Sequence, residues 1–185
     1  FIAGDSRWSG ASVSLATLAK LLRSYGEDVR IILPSSGPLE RVLSNYSIPY
    51  KVVKSWQWAI SLDADERQLS EDRKFREEVN KKAVEAISEY IQSNGIQLVH
   101  TNTIGTYVGA VAARQANVPH VWHIREFMEE DHGVRFWDDN EAYSLIKEAA
   151  KCICISKSVM SKFAPLIGGS KCALIPNGIS IDDYL

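Results

Sequence analysis

Residues 98–124, Leu98-Val99-His100-Thr101-Asn102-Thr103-Ile104-Gly105-Thr106-Tyr107-Val108-Gly109-Ala110-Val111-Ala112-Ala113-Arg114-Gln115-Ala116-Asn117-Val118-Pro119-His120-Val121-Trp122-His123-Ile124, hold one complete strand–helix–strand unit. Leu98–His100 reads as a strand, Tyr107–Ala116 as a helix stopped by Asn117 and Pro119, and His120–Ile124 as the next strand. Working outward, the same alternation recurs. Toward the N-terminus, Phe1–Ala3 reads as the tail of a first strand. Ser12–Ser24 follows as a helix, with Leu15, Leu18, Leu22 and Tyr25 on one face and Gly26 as its stop. Val29–Leu33 and Tyr50–Val53 are further strands around a short helix, Leu39–Asn45. A helix beginning beyond Ser70 runs to about Ser93 and stops at Asn94-Gly95. Toward the C-terminus come a helix near Glu141–Ala150, a strand Cys152–Ile155, a helix from Ser156 to Pro165 and a strand Cys172–Ile175. Strands alternating with helices of this length predict a Rossmann-like, doubly wound parallel α/β sheet.

Bulk composition agrees with one globular domain. The chain has 185 residues, 45% hydrophobic and 24% charged, with a net charge of −2, so nothing global points to nucleic acid. Charge is uneven locally: residues 1–60 carry seven basic and four acidic side chains, and residues 126–141 carry seven acidic and one basic. Both segments read first as solvated exterior. No apolar run reaches the length of a membrane helix and no secretory signal is visible, which makes a cytoplasmic chain the expectation. Its opening on Phe1-Ile2-Ala3 suggests a missing natural start. Cys152, Cys154 and Cys172 lack the spacing of a disulfide framework. Cys152 and Cys154 share one strand face, as small core residues do.

Ligands of open α/β sheets bind at the carboxyl ends of strands, near the point where strand order reverses. The loops there are the candidates. Gly4-Asp5-Ser6-Arg7-Trp8-Ser9-Gly10 joins a strand to a helix and suits an anion at the helix N-terminus, or simply a tight turn that needs glycine. Thr101-Asn102-Thr103 offers three hydrogen-bonding side chains, as ligand contacts or as a helix N-cap. In Val121-Trp122-His123-Ile124-Arg125-Glu126, His123 and Arg125 fall on one side, fit to bind an anionic or polyhydroxylated ligand or to move a proton; a structural histidine is the competing reading. His120 and His123 face opposite ways, which disfavours a shared metal. Trp56-Gln57-Trp58 and the charged run Asp63–Lys82 read as a packed helix with a solvated face, or as a surface that docks on a bilayer.

Four segments in this order resemble the N-terminal domain of retaining GT-B glycosyltransferases of family four. They are Gly10-Ala11-Ser12 with Leu15-Ala16-Thr17-Leu18-Ala19, then Leu98–Thr103, then Pro119–Glu126, and Ile153–Ser158 followed by Ile175-Pro176-Asn177-Gly178-Ile179. The resemblance spans most of the chain apart from residues 54–80. It implies one half of a two-domain GT-B fold. Residues 1–178 would form the acceptor-side domain, and residues 179–185 would start the crossover to a missing C-terminal, donor-binding domain.

The resemblance further implies transfer of a hexose-type sugar, with retention, from a nucleotide sugar to a glycan or lipid-linked acceptor. It implies no metal and no other cofactor, no nucleic-acid partner, and a site in the cytoplasm or peripheral to the inner membrane face. Gly10 matches the loop glycine near the donor phosphates, with Ser9 where family members often carry a second glycine. His123 matches the histidine beside the transferred sugar and is the catalytic candidate. Asn102, Thr103, Arg125, Glu126 and Lys157 fall in matching cleft segments as substrate-binding candidates. The fragment alone is expected to be inactive. A sugar-nucleotide epimerase of GT-B shape, kept open by Glu129-Glu130-Asp131, and a non-catalytic binding module are the alternatives.

Overall fold

The computed structural model describes residues 1–178; the expected crossover at 179–185 lies outside the described residues. From the N-terminus, α1 (Gly10–Ser24) leads to β1 (Ile31–Leu33), α2 (Leu39–Asn45) and β2 (Tyr50–Val52). β3 (Ala59–Ser61) precedes the long α3 (Glu66–Ser93). Then follow β4 (Val99–Thr101), α4 (Val108–Gln115), β5 (His120–Ile124), α5 (Met128–His132), β6 (Val134–Phe136) and α6 (Asp139–Glu148). β7 (Lys151–Cys154), α7 (Lys157–Ile167) and β8 (Cys172–Leu174) complete the described chain.

One parallel sheet runs β2–β1–Ile2–β4–β5–β7–β8. The expected first strand is reduced to Ile2, which bridges Ile32 on one side and Thr101 on the other. Its amide donates to His100 O and its carbonyl accepts from Asn102 N, both at 2.9 Å. Strand order therefore reverses between Ile2 and β4, and the loops after them, Gly4–Ser9 and Asn102–Tyr107, flank the crevice where α/β sheets bind ligands.

Local chemistry explains the elements. Ser9 and Ser12 form a capping box at the start of α1: the Ser12 amide donates to Ser9 Oγ, and the Ser9 amide to Ser12 Oγ at 2.7 Å. Leu15, Ala16 and Ala19 are the buried stripe, and Gly26, at φ +90°, ends the helix. In α3, Asp65 caps the Gln68 amide. Its C-terminal half buries Ala83, Val84, Ile87 and Ile91 against Ile2, Val99 and the α4 residues Val108, Ala112 and Ala113. The α3 helix starts one turn earlier than its apolar repeat suggests, because the Asp65 cap lies before that repeat begins. Pro165 does not close α7: the helix runs on to Ile167 and stops at Gly168, at φ +97°.

A second feature has no counterpart in the sequence pattern. β3 and β6 pair antiparallel, Ala59 opposite Phe136, although 72 residues separate them; the span follows from their numbers, 134 less 62. This ribbon places Trp58 in the core, stacked on Trp122 with ring centroids 6.0 Å apart. Both indoles then work as hydrogen-bond donors: Trp58 Nε1 to Ile104 O at 2.8 Å, and Trp122 Nε1 to Thr103 O at 2.7 Å. The loop after β4 is thereby fixed from below. Cys152 and Cys154 are buried in the same core, and burial pushes their thiols up to about 12 and about 11.

Close approach of α4 to the sheet depends on Gly109. A Cβ there would sit 2.5 Å from Thr101 Oγ1 and 2.6 Å from Ile2 Cγ1. We expect Gly109→Ala to destabilise the chain by about 1–3 kcal/mol through overpacking, read as a lower urea midpoint at unchanged slope. An unaltered midpoint would show that the helix shifts freely.

Candidate functional site

The crevice at the strand reversal is a cavity of about 580 Å³. On its α1 side stand Ser9, Gly10 and Ala11, and across from them Asn102, Thr103, Arg125 and Glu126. Six of the eight candidate site residues thus line one cavity. His123 and Lys157 do not: His123 lies beneath Arg125, and Lys157 sits exposed in the first turn of α7.

Each residue has a definite task. Ser9 is occupied as the helix cap. A side chain at Gly10 would meet nothing within 4 Å, so the cavity opens directly onto backbone there. Thr101-Asn102-Thr103 is not a helix N-cap; α4 begins after Tyr107 without a side-chain cap. Thr101 Oγ1 instead bonds His120 Nε2 at 2.8 Å. Asn102 Nδ2 donates to Ala11 O at 3.1 Å, tying β4 to the start of α1.

Glu126 joins the loops after β4 and β5. Its Oε1 accepts from Thr103 Oγ1 and from the Ile104 amide at 3.0 Å, and its Oε2 from the Arg125 amide at 3.1 Å. Burial raises its pKa, and these three hydrogen bonds oppose the rise.

Arg125 is held by neutral acceptors. Nε donates to Asn102 Oδ1 at 2.8 Å; Nη1 donates to Ser14 Oγ at 3.1 Å and to Asn177 Oδ1 at 2.5 Å; Nη2 donates to His123 Nδ1 at 3.2 Å. A guanidinium has five N–H donors, so one remains, and no carboxylate among the described residues forms a salt bridge with it. Burial lowers its pKa to about 10, with Glu126 pulling the other way, so it stays charged at neutral pH. Ser14 and Asn177, which bind Arg125, and His100, which contacts His123, are partners to which sequence reasoning assigned no role.

The histidines follow from this. Arg125 can only donate, so His123 Nδ1 is an acceptor and its proton sits on Nε2. His100 Nε2 lies 3.1 Å from the same Nδ1, whose single lone pair the Arg125 guanidinium also approaches. His123 is 5% exposed, and its Nε2 is buried without a partner. Burial, then the neighbouring Arg125 charge, lowers its pKa to about 3. Burial, followed by the His123 charge, lowers His100 to about 2, and burial lowers His120 to about 3. At neutral pH His123 is therefore a neutral N–H donor and a poor base.

The acidic run after β5 does not act as a group. Glu129 and Glu130 both pair with Lys162 at the surface, at 2.5 and 2.7 Å. Asp131 alone lines the cavity, accepting from the Phe127 amide at 2.8 Å. Among the described residues there is no cluster of three or more His, Cys, Asp or Glu able to hold a metal ion.

The model of Glycosyltransferase Family 4 matches residues 8–183. The chain belongs to that family. No curated protein sequence matches it. Among solved structures it is similar to HepE of Anabaena in complex with UDP, at 22% identity and a TM-score of 0.69, covering 100% of this chain and 45% of that one. It is similar to MurG of Acinetobacter baumannii at 18% identity and TM-score 0.57, over 85% of this chain and 41% of that one. MnaA of S. aureus with UDP matches at 18% and 0.56, over 95% and 43%. At these identities the likeness shows the fold, a Rossmann-like GT-B domain. The family-four chain spans less than half the length of each of these three structures.

The buried neutral imidazoles give the domain a definite acid response. Unfolded histidines titrate near pH 6.5, so below that the unfolded chain binds more protons and stability falls with pH. We expect a loss that steepens toward about 1.4 kcal/mol per pH unit per buried imidazole as pH falls from about 6.5 to about 5; the raised pKa of Glu126 acts in the opposite sense. Urea unfolding across this range measures the slope. His120→Gln should reduce it by about one proton, and an unchanged slope would mean that His120 is not held neutral.

Proposed function

We propose that this chain is the acceptor-side half of an enzyme that transfers a hexose-type sugar from a nucleotide sugar to a glycan or lipid-linked acceptor, with retention and without a metal ion. The observation that carries the reading is Arg125: a guanidinium charge, desolvated and held by neutral groups, facing a cavity that also opens on the backbone of Gly10. A cation kept in place without a carboxylate suits an anionic ligand, and the first-turn amides of α1 add donors with no intrahelical partner. The diphosphate of a sugar nucleotide has the matching charge. The UDP complexes of HepE and MnaA support a uridine donor.

In this reading Arg125 and the Gly10 amides stabilise the departing diphosphate, an electrostatic strategy that needs no cation. His123, as a neutral imidazole beneath Arg125, accepts from its Nη2 and so orients the guanidinium. Asn102, Thr103 and Glu126 hold the cleft in shape around it. A second domain supplies the rest of the donor site, so this half alone does not turn over. No helix among the described residues is long and apolar enough to cross a membrane. We place the enzyme in the cytoplasm, at the inner membrane face when its acceptor is lipid-linked.

The test is turnover by the full-length gene product with a panel of UDP- and GDP-sugars and a crude acceptor extract, without divalent metal. Nucleotide release should depend on the extract and fall about 10- to 100-fold in His123→Ala, the loss of one buried hydrogen bond. A folded protein that releases nucleotide from no donor would contradict the proposal.

A further inference from the structure

The cavity over Gly10 continues into a second one of about 440 Å³; Ala3, Gly4, Asp5, Arg7 and Gln57 border both. This arm lies at the carboxyl ends of Ile2, β1 and β2, on the opposite side of the strand reversal from Arg125. Its charged lining is cationic: Arg7, Lys54 and Arg76 against Asp5. Asp5 is taken by Arg7 at 3.1 Å, and Arg76 meets Asp72, a half-exposed carboxylate, at 3.4 Å. Lys54 has no ion-pair partner among the described residues.

The arm is built rather than incidental. Asn80 is fully buried and clamps the Trp56 backbone from both sides, accepting from its amide at 2.7 Å and donating to its carbonyl at 2.9 Å. The Trp56 ring, 41% exposed, is thereby held at the wall of the cavity beside the Arg76 guanidinium, 5.7 Å from its centroid. Arg76 is itself anchored, its Nη1 donating to Ala59 O at 2.6 Å. Thr106 also lines the arm; it is 4% exposed and its hydroxyl has no partner in the protein. A buried hydroxyl without a partner beside an indole, an anchored Arg76 and an exposed Lys54 is the arrangement that a charged, polyhydroxylated ligand satisfies.

We propose that this arm receives the acceptor, and that the acceptor is a sugar bearing an anionic group, a phosphate ester or a carboxylate. Lys54 and Arg76 hold the anionic group, Trp56 takes the apolar face of the ring, and Thr106 bonds a ligand oxygen. The inference rests on the transferase reading and names its acceptor class. The donor's charge is met at Arg125 and the acceptor's at Lys54, on opposite sides of the residues shared by both cavities.

The full-length gene product is titrated with glucose 6-phosphate, glucuronate and glucose, with UDP titrated in parallel. At least one charged sugar should bind about tenfold more tightly than glucose, with a gap that narrows as salt rises. Preference for the phosphate or the carboxylate identifies the anionic group. Lys54→Gln should remove most of the gap, and Arg76→Lys, which keeps the charge, should retain it. Affinity for UDP should not change in Lys54→Gln, which separates this arm from the donor side. Glucose binding as tightly as both charged sugars, or a gap that survives Lys54→Gln, would overturn the proposal. A Lys54-dependent preference in a protein that turns over no nucleotide sugar would support the anion site while removing the transferase reading.

Discussion

The Glu126 carboxylate is the constraint on which the cleft depends. It accepts from Thr103 and Ile104 in the loop after β4 and from the Arg125 amide after β5, so two loops that share no continuous chain move as one. Hydrogen bonds to an ionised acceptor are about twice as strong as neutral ones, which offsets the penalty of holding a carboxylate partly out of water. The indoles of Trp58 and Trp122 fix the same loop from the core side. The sheet, the β3–β6 ribbon and the loops thus converge on residues 103–105, and Arg125 inherits its position from them.

That position determines the chemistry. Arg125 could have been neutralised by the adjacent Glu126, yet the carboxylate bonds the backbone of Arg125 while the guanidinium reaches to Asn102, Ser14, Asn177 and His123. Four neutral acceptors orient the charge without cancelling it. The same contacts fix the His123 tautomer, so cation and imidazole form one unit in which the histidine accepts through Nδ1 and carries its proton on Nε2. The opposite arm repeats the strategy with other parts: Ala59 O orients Arg76, and Asn80 orients Trp56 through its backbone.

Much of this was legible in the sequence, for identifiable reasons. Strands at the centre of a parallel sheet are buried and rich in apolar residues, so β1, β4 and β5 stood out, as did the shorter apolar runs of β7 and β8 nearer the sheet edge. Gly26, Asn94-Gly95 and Asn117 marked helix ends through their backbone preferences. The cleft loops followed from topology alone, and they brought Gly10, Asn102, Thr103, Arg125 and Glu126 together. What stayed hidden is non-local. β3 and β6 are three residues each, far apart in sequence and without alternation, so no pattern announces their pairing. Phe75 fits the apolar repeat of α3 but is 55% exposed, lying outside the core clusters with its ring against the half-exposed Trp56. His100 and Ser14 gave no signal, since their roles come from contacts distant in sequence, His100 with His123 and Ser14 with Arg125. The two sides of the cleft, cationic at Arg125 and at Lys54, were invisible to a net charge of −2.

The central claim is that Arg125 is a cation held ready for an anionic donor group. The affinity of the full-length protein for UDP, compared between wild type and Arg125→Gln over a range of salt, tests it most directly. The account predicts that the variant binds about 10- to 100-fold more weakly and with a shallower dependence on salt. Equal affinity and an equal salt slope in a folded variant would contradict it.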